Sequence, residues 1–328
     1  MQPFSYVKAN DPSDASSKQK ASGGGIFLGG GTCLVDLMKL DVMAPPQLID
    51  VRKSSGESSA VKDSGKTVVI SGGASNSAVA HHALIQSEFP VLSQAILSGA
   101  SPQLRNAATV AGNLMQRTRC CYFRDPVMSC NKNRPGSGCP AIDGFNRMHA
   151  VLGTSDECIA AHPSDMCVAL AALDAVVRVH DGSSHREIPL IEFHTLPGKN
   201  PEIETVLKAH EIITAVEITK SDLARHSHYH KVRDRASFSF ALTSAAVALV
   251  ADGGKIKEAR LALGGVGTKP WRCQKSESDL QGKPAETASY RAAAALAMAD
   301  AVPRSHNKFK IELAKRTVVR AYEELQKA

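Results

Sequence analysis

The chain has 328 residues, of which 43% are hydrophobic and 22% charged, a balance that excludes a wholly disordered chain and allows about two domains. Its net charge is +7, but the basic residues are spread from Lys8 to Lys327 with acidic residues between them, so we predict no nucleic-acid partner. No apolar run reaches the roughly 18 residues that a membrane span needs, so we expect no membrane-spanning helix.

The first fifty residues predict a small β-α-β unit. Strands are expected at 4–7, 26–28 and 47–51, and a helix at 34–40. A polar helix is expected to begin near Asp11, because Asp followed by Pro resembles an N-cap and a first helical turn. A run of glycines stands between the second strand and the second helix.

The next hundred residues change from regular to irregular. Residues 54–66 predict a loop, 67–70 a strand, and 75–87 and 91–98 helices. A polar stretch at 100–118 leads into an irregular segment at 119–160, which contains Pro-Gly-Ser-Gly and most of the cysteines. Because a structureless loop of this length is unusual in a compact domain, we expect a metal centre to organise it.

Regular structure returns after residue 162. The apolar pattern predicts a helix at 165–173 and a strand at 175–179, followed by short apolar stretches at 188–193 and 211–218. Residues 238–250 predict a helix, or a helix that runs into a strand. Asp-Gly-Gly at 252–254 predicts a hairpin turn, with 257–264 as the returning strand. Two helices, at 288–301 and 307–326, are expected at the end.

Three small-residue segments are candidates for binding a phosphate or a sugar. The first is Gly-Gly-Gly-Thr at 29–32, where backbone N–H groups could surround a phosphate. It is neither a G-x-G-x-x-G fingerprint nor a Walker A loop, and by itself it favours a plain tight turn over a phosphate site. The second is 107–113, which combines a hydroxyl, a glycine and an amide. The third is 162–166, where Asp165 begins a helix and could bond a ribose hydroxyl.

Six of the eight cysteines lie close together in the sequence: Cys120, Cys121, Cys130, Cys139, Cys158 and Cys167. The chain begins without an apolar signal-peptide core, so this cluster favours a metal or redox centre over disulfides. Adjacent side chains diverge, so Cys120 and Cys121 can hardly both bind one small site. The wide spacing, without any C-x-x-C, is compatible with a [4Fe–4S] cluster, a zinc ion or unligated thiols.

Taken in order, these segments resemble the FAD-binding medium subunit of the xanthine dehydrogenase, or molybdenum hydroxylase, family. Within it, the similarity is greatest to the FAD and [4Fe–4S] subunits of bacterial periplasmic aldehyde oxidoreductases. The resemblance covers nearly the whole chain and rests on these segments: 37–40, 103–106, 113–120, 135–139, 231–237 and 263–266.

The resemblance implies an α+β fold of the vanillyl-alcohol-oxidase type, also called PCMH-type. Two FAD-binding subdomains are expected at 1–55 and 56–222, the second with an iron–sulfur insertion at about 119–160. A C-terminal α+β subdomain of the CO dehydrogenase flavoprotein type is expected at 223–328.

The resemblance also assigns cofactor contacts but no proton-abstracting catalytic residue. It implies that the pyrophosphate site consists of Leu28, Gly29, Gly30, Gly31, Thr32, Thr109, Gly112 and Asn113. It implies that Asp165 contacts the FAD sugar or linker. Ile213 and Lys231 are expected to lie near the isoalloxazine. It implies four ligands of a [4Fe–4S] cluster: Cys120, Cys130, Cys139 and Cys158. Cys121 departs from the family pattern.

Two partner subunits are implied, a small one with two [2Fe–2S] clusters and a large one with the molybdenum cofactor. Electrons would pass from them through FAD to an external acceptor. We expect an aldehyde oxidoreductase. The alternatives are the equivalent subunit of a xanthine, carbon monoxide or aromatic acyl-CoA hydroxylase and, in another class, a non-redox binding protein stabilised by zinc. We expect periplasmic export of the assembled complex on a twin-arginine signal of the small subunit, with a cytoplasmic location as the alternative.

Overall fold

A computed structural model describes residues 1–54 and 59–327. The N-terminal part is a parallel three-stranded sheet with strand order β1-β3-β2. Its elements are β1 (Ser5–Lys8), α1 (Pro12–Ala21), β2 (Ile26–Leu28), α2 (Leu34–Lys39) and β3 (Gln47–Asp50). The side chain of Asp11 accepts a hydrogen bond from the backbone N–H of Asp14 at 2.8 Å. The predicted β-α-β unit and its helix cap are confirmed.

The middle part is an antiparallel five-stranded sheet covered by helices. The first strands and helices are β4 (Val61–Asp63), β5 (Thr67–Ser71), α3 (Asn76–Ala80), α4 (Ala83–Glu88), α5 (Pro90–Ser98), α6 (Pro102–Ala107) and α7 (Val110–Leu114). After the irregular segment come α8 (Asp165–Ala172), β6 (Val176–His180), β7 (His185–Pro189), α9 (Leu190–Phe193) and β8 (Ile212–Thr219). The strand order is β4-β5-β8-β6-β7. All residues of α8 are buried, as expected for a helix that is apolar on every side.

The C-terminal part is an antiparallel four-stranded sheet; its own C-terminal helices cover one face, while α5 and α8 of the middle part pack against the other. Its elements are α10 (Asp222–Arg225), β9 (Ser227–Val232), β10 (Thr243–Asp252), β11 (Lys255–Gly264), β12 (Trp271–Arg272), α11 (Gln274–Leu280), α12 (Thr287–Ala297) and α13 (Phe309–Leu325). The strand order is β12-β11-β10-β9. Tyr290 of α12 and Tyr322 of α13 stack with ring centroids 4.8 Å apart, inside the core beneath this sheet.

Three element predictions are wrong in part. Residues 238–250 contain no helix, because 243–252 form β10. Ala245 and Val247 enter one core cluster and Ala246 another, so both faces of this strand are buried and its continuous apolar run resembles a buried helix. The predicted loop at 54–66 contains β4, while its residues 55–58 lie outside the described residues.

The predicted helix at 75–87 is two helices, because the backbone of His82 is extended between them. The His82 ring accepts a hydrogen bond from the Leu84 N–H and so begins α4 as a new helix.

Residues 115–164, all of them described, contain no helix or strand. The irregular segment predicted at 119–160 is therefore confirmed. No helix among the described residues is long and apolar enough to cross a bilayer. The predicted subdomain boundaries at 55/56 and 222/223 stay predictions.

Candidate functional site

Two glycine-containing loops meet at the centre of the candidate site. The loop after β2 places Gly30 so close to α6 that a Cβ there would overlap the carbonyl oxygen of Ala107. A Cβ at Gly29 would lie 2.6 Å from the Thr109 hydroxyl. Gly31 has a φ of +73°, which favours glycine. The first and second small-residue segments therefore pack directly against each other, although about 80 residues separate them.

Thr109 fixes the second loop. Its hydroxyl accepts a hydrogen bond from the Gly112 N–H at 3.1 Å and so caps the short helix α7. Next to it, the Ala111 N–H donates to the carbonyl of Gly72 at 2.9 Å. A third glycine pair, Gly72 and Gly73, is thereby held against the first two loops.

These loops line a cavity of about 720 Å³, within the size range typical of cofactor pockets. Seven predicted contact residues line it: Gly29, Gly30, Gly31, Thr32, Thr109, Gly112 and Ile213. Leu28 and Asn113 are not among the lining residues. The Leu28 carbonyl accepts from the Val51 N–H, and the Asn113 amide oxygen accepts from the Ser164 hydroxyl at 2.6 Å.

Asp165 and Lys231 are also absent from the cavity wall and instead pair with each other. The Lys231 ammonium lies 2.7 Å from the Asp165 carboxylate, and their side chains are only 4% and 9% exposed. The Tyr229 hydroxyl donates to the second Asp165 oxygen at 2.6 Å, and burial together with this carboxylate raises the pKa of Tyr229 well above its ordinary value. The pair joins α8 to β9, and its contact with the flavin stays a prediction.

The predicted cluster ligands come together at a second, smaller cavity. Cys120, Cys130, Cys139 and Cys158 all line it, whereas Cys121 does not and is exposed. All eight cysteines lie in the described part of the chain, and each is a free thiol there.

Burial raises the pKa of Cys120 to about 12 and that of Cys158 to about 11. As isolated groups these thiols would therefore stay protonated, and a bound cation would be required to make them thiolates. Four converging sulfurs fit a [4Fe–4S] cluster by ligand number and type.

His149 approaches this cysteine set from the irregular segment. Its Nε2 lies 3.1 Å from the Cys120 sulfur, and burial, helped by the charge of Lys310, lowers the pKa of His149 to about 4. The fully buried Lys310 of α13 donates to the backbone carbonyls of Met148 and His149 at 3.1 and 3.0 Å. The C-terminal helix therefore holds this part of the cysteine segment in place.

The two cavities share a wall. Cys158, Lys132 and Ala160 line both of them. Lys132 and Arg117 bind the same Glu204 carboxylate at 2.8 and 2.6 Å. Burial acts to raise the pKa of Glu204, but Arg117 and Lys132 outweigh it and hold the pKa below its ordinary value. One carboxylate against two cations leaves a net positive charge beside the larger cavity.

A second His and Cys group lies nearby but does not form a ligand set. In His162, Cys167 and His194 the possible ligand atoms are within 4.8 Å of one another. Burial lowers the pKa of His162 well below its usual value, so the ring is neutral. Its Nδ1 accepts from the Ser164 N–H at 3.3 Å, so its Nε2 carries the proton and offers no lone pair to a metal.

Several lining residues escaped the sequence analysis. Gly72 and Gly73 follow a strand and precede Ala74 and Ser75. Glycines after a strand and before a hydroxyl residue also occur in the first loop, so this pattern could have predicted them. Lys132, Glu204 and His194 line the cavity as single residues from irregular segments, and no local pattern distinguishes them from surface residues.

Two protein-family models match this chain. The family model for the FAD binding domain in molybdopterin dehydrogenase matches residues 2–220. The model for the CO dehydrogenase flavoprotein C-terminal domain matches residues 227–325.

Individual proteins with known names are also similar to this chain. The chain is 45% identical over 320 residues to the aldehyde oxidoreductase FAD-binding subunit PaoB of Escherichia coli K12, covering 97% of this chain and 96% of that one. It is 25% identical to the glyceraldehyde dehydrogenase medium chain of Sulfolobus acidocaldarius, covering 85% and 82%.

The fold is that of two solved oxidoreductases. Quinoline 2-oxidoreductase from Pseudomonas putida 86 superposes with a TM-score of 0.77 at 21% identity, covering 100% of this chain and 98% of that one. Carbon monoxide dehydrogenase from Hydrogenophaga pseudoflava superposes with a TM-score of 0.77 at 22% identity, covering 100% and 99%. The predicted α+β fold class is confirmed.

Because the family is one of oxidoreductases, the non-redox alternative is set aside. The two models together span almost the whole chain, and the relative at 45% identity is matched nearly from end to end. The chain therefore belongs to the FAD-binding medium subunits of the molybdenum hydroxylase family.

Proposed function

We propose that this chain is the FAD- and [4Fe–4S]-containing electron-transfer subunit of a heterotrimeric, molybdenum-dependent aldehyde oxidoreductase. The observation that carries the proposal is the convergence of Cys120, Cys130, Cys139 and Cys158 on a cavity that shares a wall with the glycine-lined one. The similarity to an aldehyde oxidoreductase FAD-binding subunit supports the substrate class.

The glycine loops would hold the flavin's pyrophosphate. Backbone N–H groups of Gly29 to Thr32 supply donors without side chains in the way, and Thr109 and Gly112 lie on the same wall. When bound, FAD accepts electrons and passes them to an external acceptor. The positive charge of Arg117 and Lys132 beside the cavity would favour a flavin that has gained negative charge.

The four cysteines would hold the cluster, and Cys158 would set the distance between the two cofactors. Cys158 is buried and lines both cavities, so a cluster held there would be separated from the flavin cavity by little more than one side chain. Burial keeps water away from both sites and lowers the dielectric response around them.

The partners belong to the same proposal. A small subunit with two [2Fe–2S] clusters and a large subunit with the molybdenum cofactor would deliver the electrons. The names of the relatives, an FAD-binding subunit and several medium chains, support a multisubunit assembly. The higher identity to the aldehyde oxidoreductase relative than to the carbon monoxide dehydrogenase relatives, 45% against 23%, supports an aldehyde substrate.

Anaerobic reduction of the purified complex tests this function. We expect an aromatic or aliphatic aldehyde to bleach the flavin absorbance when all three subunits are present. The isolated chain should keep its flavin oxidised under the same conditions, because it has no substrate site of its own. Bleaching by xanthine or carbon monoxide, and not by any aldehyde, would contradict the substrate class while leaving the flavoprotein role intact.

A side chain at position 30 should weaken flavin binding. We expect Gly30→Val to reduce flavin affinity at least about tenfold, because its Cβ would displace the Ala107 segment and separate the two loops. The flavin itself should be non-covalent and appear in the supernatant after acid precipitation. Gly23→Ala is the control, since no atom lies within 4 Å of a Cβ added at position 23 and its only cost is the strain of a side chain at a φ of +62°. Equal flavin content in the two variants would refute the role of the loop contact.

His149 should tune the proposed cluster. A hydrogen bond to a cluster sulfur stabilises the reduced, more negative state. If His149→Leu removes a bond whose strength differs between the two states by about 1 kcal/mol, the midpoint potential should fall by about 40 mV. An EPR-monitored redox titration measures it. His149→Gln, which can still donate, is expected to restore part of the shift, and loss of iron in both variants would instead identify His149 as a ligand.

We also propose a periplasmic location, reached by co-export with a twin-arginine-bearing partner. Its support is the resemblance to periplasmic aldehyde oxidoreductases. Fractionation of cells that express all three subunits tests it. Co-purification with cytoplasmic markers, together with a small subunit that lacks a twin-arginine signal, would favour the cytoplasmic alternative.

A further inference from the structure

Three potential metal ligands meet far from the cysteine cavity, between β9 and α13. His228 Nε2 lies 3.0 Å, and His230 Nδ1 2.7 Å, from the same oxygen, Oε2 of Glu324. Among the described residues this is one of two groups of His, Cys, Asp or Glu whose ligand atoms lie within 4.8 Å of one another. The other is the His162 group, whose proton positions argue against a metal.

Secondary structure explains the convergence. His228 and His230 are two residues apart on a strand, so their side chains point to the same face of the sheet. The helix α13 packs on that face and presents Glu324 to both imidazoles. The remaining Glu324 oxygen accepts from Arg320, one turn earlier on the helix, at 2.6 Å. Arg320 therefore fixes the carboxylate so that Oε2 points towards the histidines.

The three side chains are accessible to a cation from solvent. Those of His228, His230 and Glu324 are 20%, 25% and 25% exposed. In a neutral imidazole the proton can sit on the nitrogen that faces away from Glu324, which leaves the facing nitrogen a lone pair for a metal.

The distances match zinc coordination. Bonds of about 2.0–2.1 Å in a tetrahedron place neighbouring ligand atoms roughly 3.3 Å apart. The two nitrogens are 3.0 and 2.7 Å from the oxygen, so a small outward movement of three partly exposed side chains would admit the ion. Two imidazoles and one carboxylate form a typical three-ligand zinc set, with water in the fourth position.

We propose that His228, His230 and Glu324 form a zinc site that ties the C-terminal helix to the edge strand of its sheet. The site is separate from the cysteine cavity and does not depend on the proposed electron-transfer function. The ion would have a structural role, because it would join the helix α13 to the strand β9.

Zinc binding to the purified, flavin- and iron-loaded protein tests the proposal. Equilibrium dialysis against zinc chloride, with metal content measured by mass spectrometry, should give one more zinc per chain in the wild type than in His228→Gln/His230→Gln. Added zinc should also raise the thermal midpoint of the wild type and not that of the double variant. X-ray absorption at the zinc edge should show nitrogen and oxygen neighbours for this ion.

Two further variants keep the test decisive. Glu324→Gln should also bind one zinc ion fewer per chain than the wild type. Because it changes a single residue, it shows whether the loss of zinc in the double variant comes from misfolding. Unchanged flavin and iron contents verify that each variant has folded. His226→Gln, an exposed neighbour on the same segment whose Nδ1 lies 2.9 Å from the Asp222 carbonyl, should bind zinc as the wild type does. The proposal would be overturned if the wild type and both ligand variants bound equal amounts of zinc. It would also be overturned if the zinc ion that the variants lose had sulfur neighbours.

Discussion

Replacing Cys130 by serine is expected to remove the proposed [4Fe–4S] cluster completely, so that iron falls from the expected value of about four atoms per chain to near zero. Cys130 is buried, and the sulfurs of Cys120, Cys139 and Cys158 lie close enough to it for electrostatic interaction. The substituted hydroxyl is a poor ligand for iron in a thiolate cluster. Residues 115–164 contain no helix or strand, so loss of the centre should also expose this segment to limited proteolysis.

Cys121→Ser is the matched control, because Cys121 adjoins a proposed ligand but is exposed and outside the cavity. Its iron content, visible spectrum and proteolysis pattern should equal those of the wild type. Loss of iron in Cys121→Ser, with full iron in Cys120→Ser, would reverse the ligand assignment. If the wild type instead holds one zinc ion per chain, and Cys130→Ser loses it, the cysteines form a structural zinc site and not a cluster site.

Replacing Lys231 by methionine should destabilise the protein by about 3–5 kcal/mol, because it leaves the buried Asp165 carboxylate without its cation. The ammonium also donates to the Ser98 carbonyl at 3.1 Å, so the change loosens the contact between β9 and the middle part of the chain. The thermal midpoint, followed by circular dichroism on the flavin-loaded protein, should fall by at least about 5 °C.

Two comparisons isolate the cause of this loss. Asp165→Asn/Lys231→Met removes both charges and keeps an acceptor for Tyr229, so it should recover a large part of the stability. Lys18→Met breaks the surface pair with Asp14, whose side chains are 32% and 26% exposed, and should cost under about 1 kcal/mol. Similar midpoints for Lys231→Met and Lys18→Met would show that the buried pair contributes little.

The elements that the sequence predicted well depend on short-range chemistry. The helix begun by Asp11 and Pro12 follows from a cap and a restricted φ, and the β10–β11 hairpin follows from Asp252, Gly253 and Gly254. The long irregular segment was predictable from its Gly, Pro and Cys content. Residues 243–252 were not, because a strand buried on both faces lacks the alternation that distinguishes it from a helix.

The sequence by itself determined the family, the glycine loops and the four spaced cysteines, since these depend on residue type, order and spacing. Only the tertiary structure decided which of these residues meet. It brought Gly30 against Ala107, turned Cys120 and not Cys121 towards the cavity, and set Cys158 between the two sites. It also paired Asp165 with Lys231 and His228 with Glu324, which lie 66 and 96 residues apart. Such contacts are fixed by the packing of whole sheets and helices, and no local pattern in the chain encodes them.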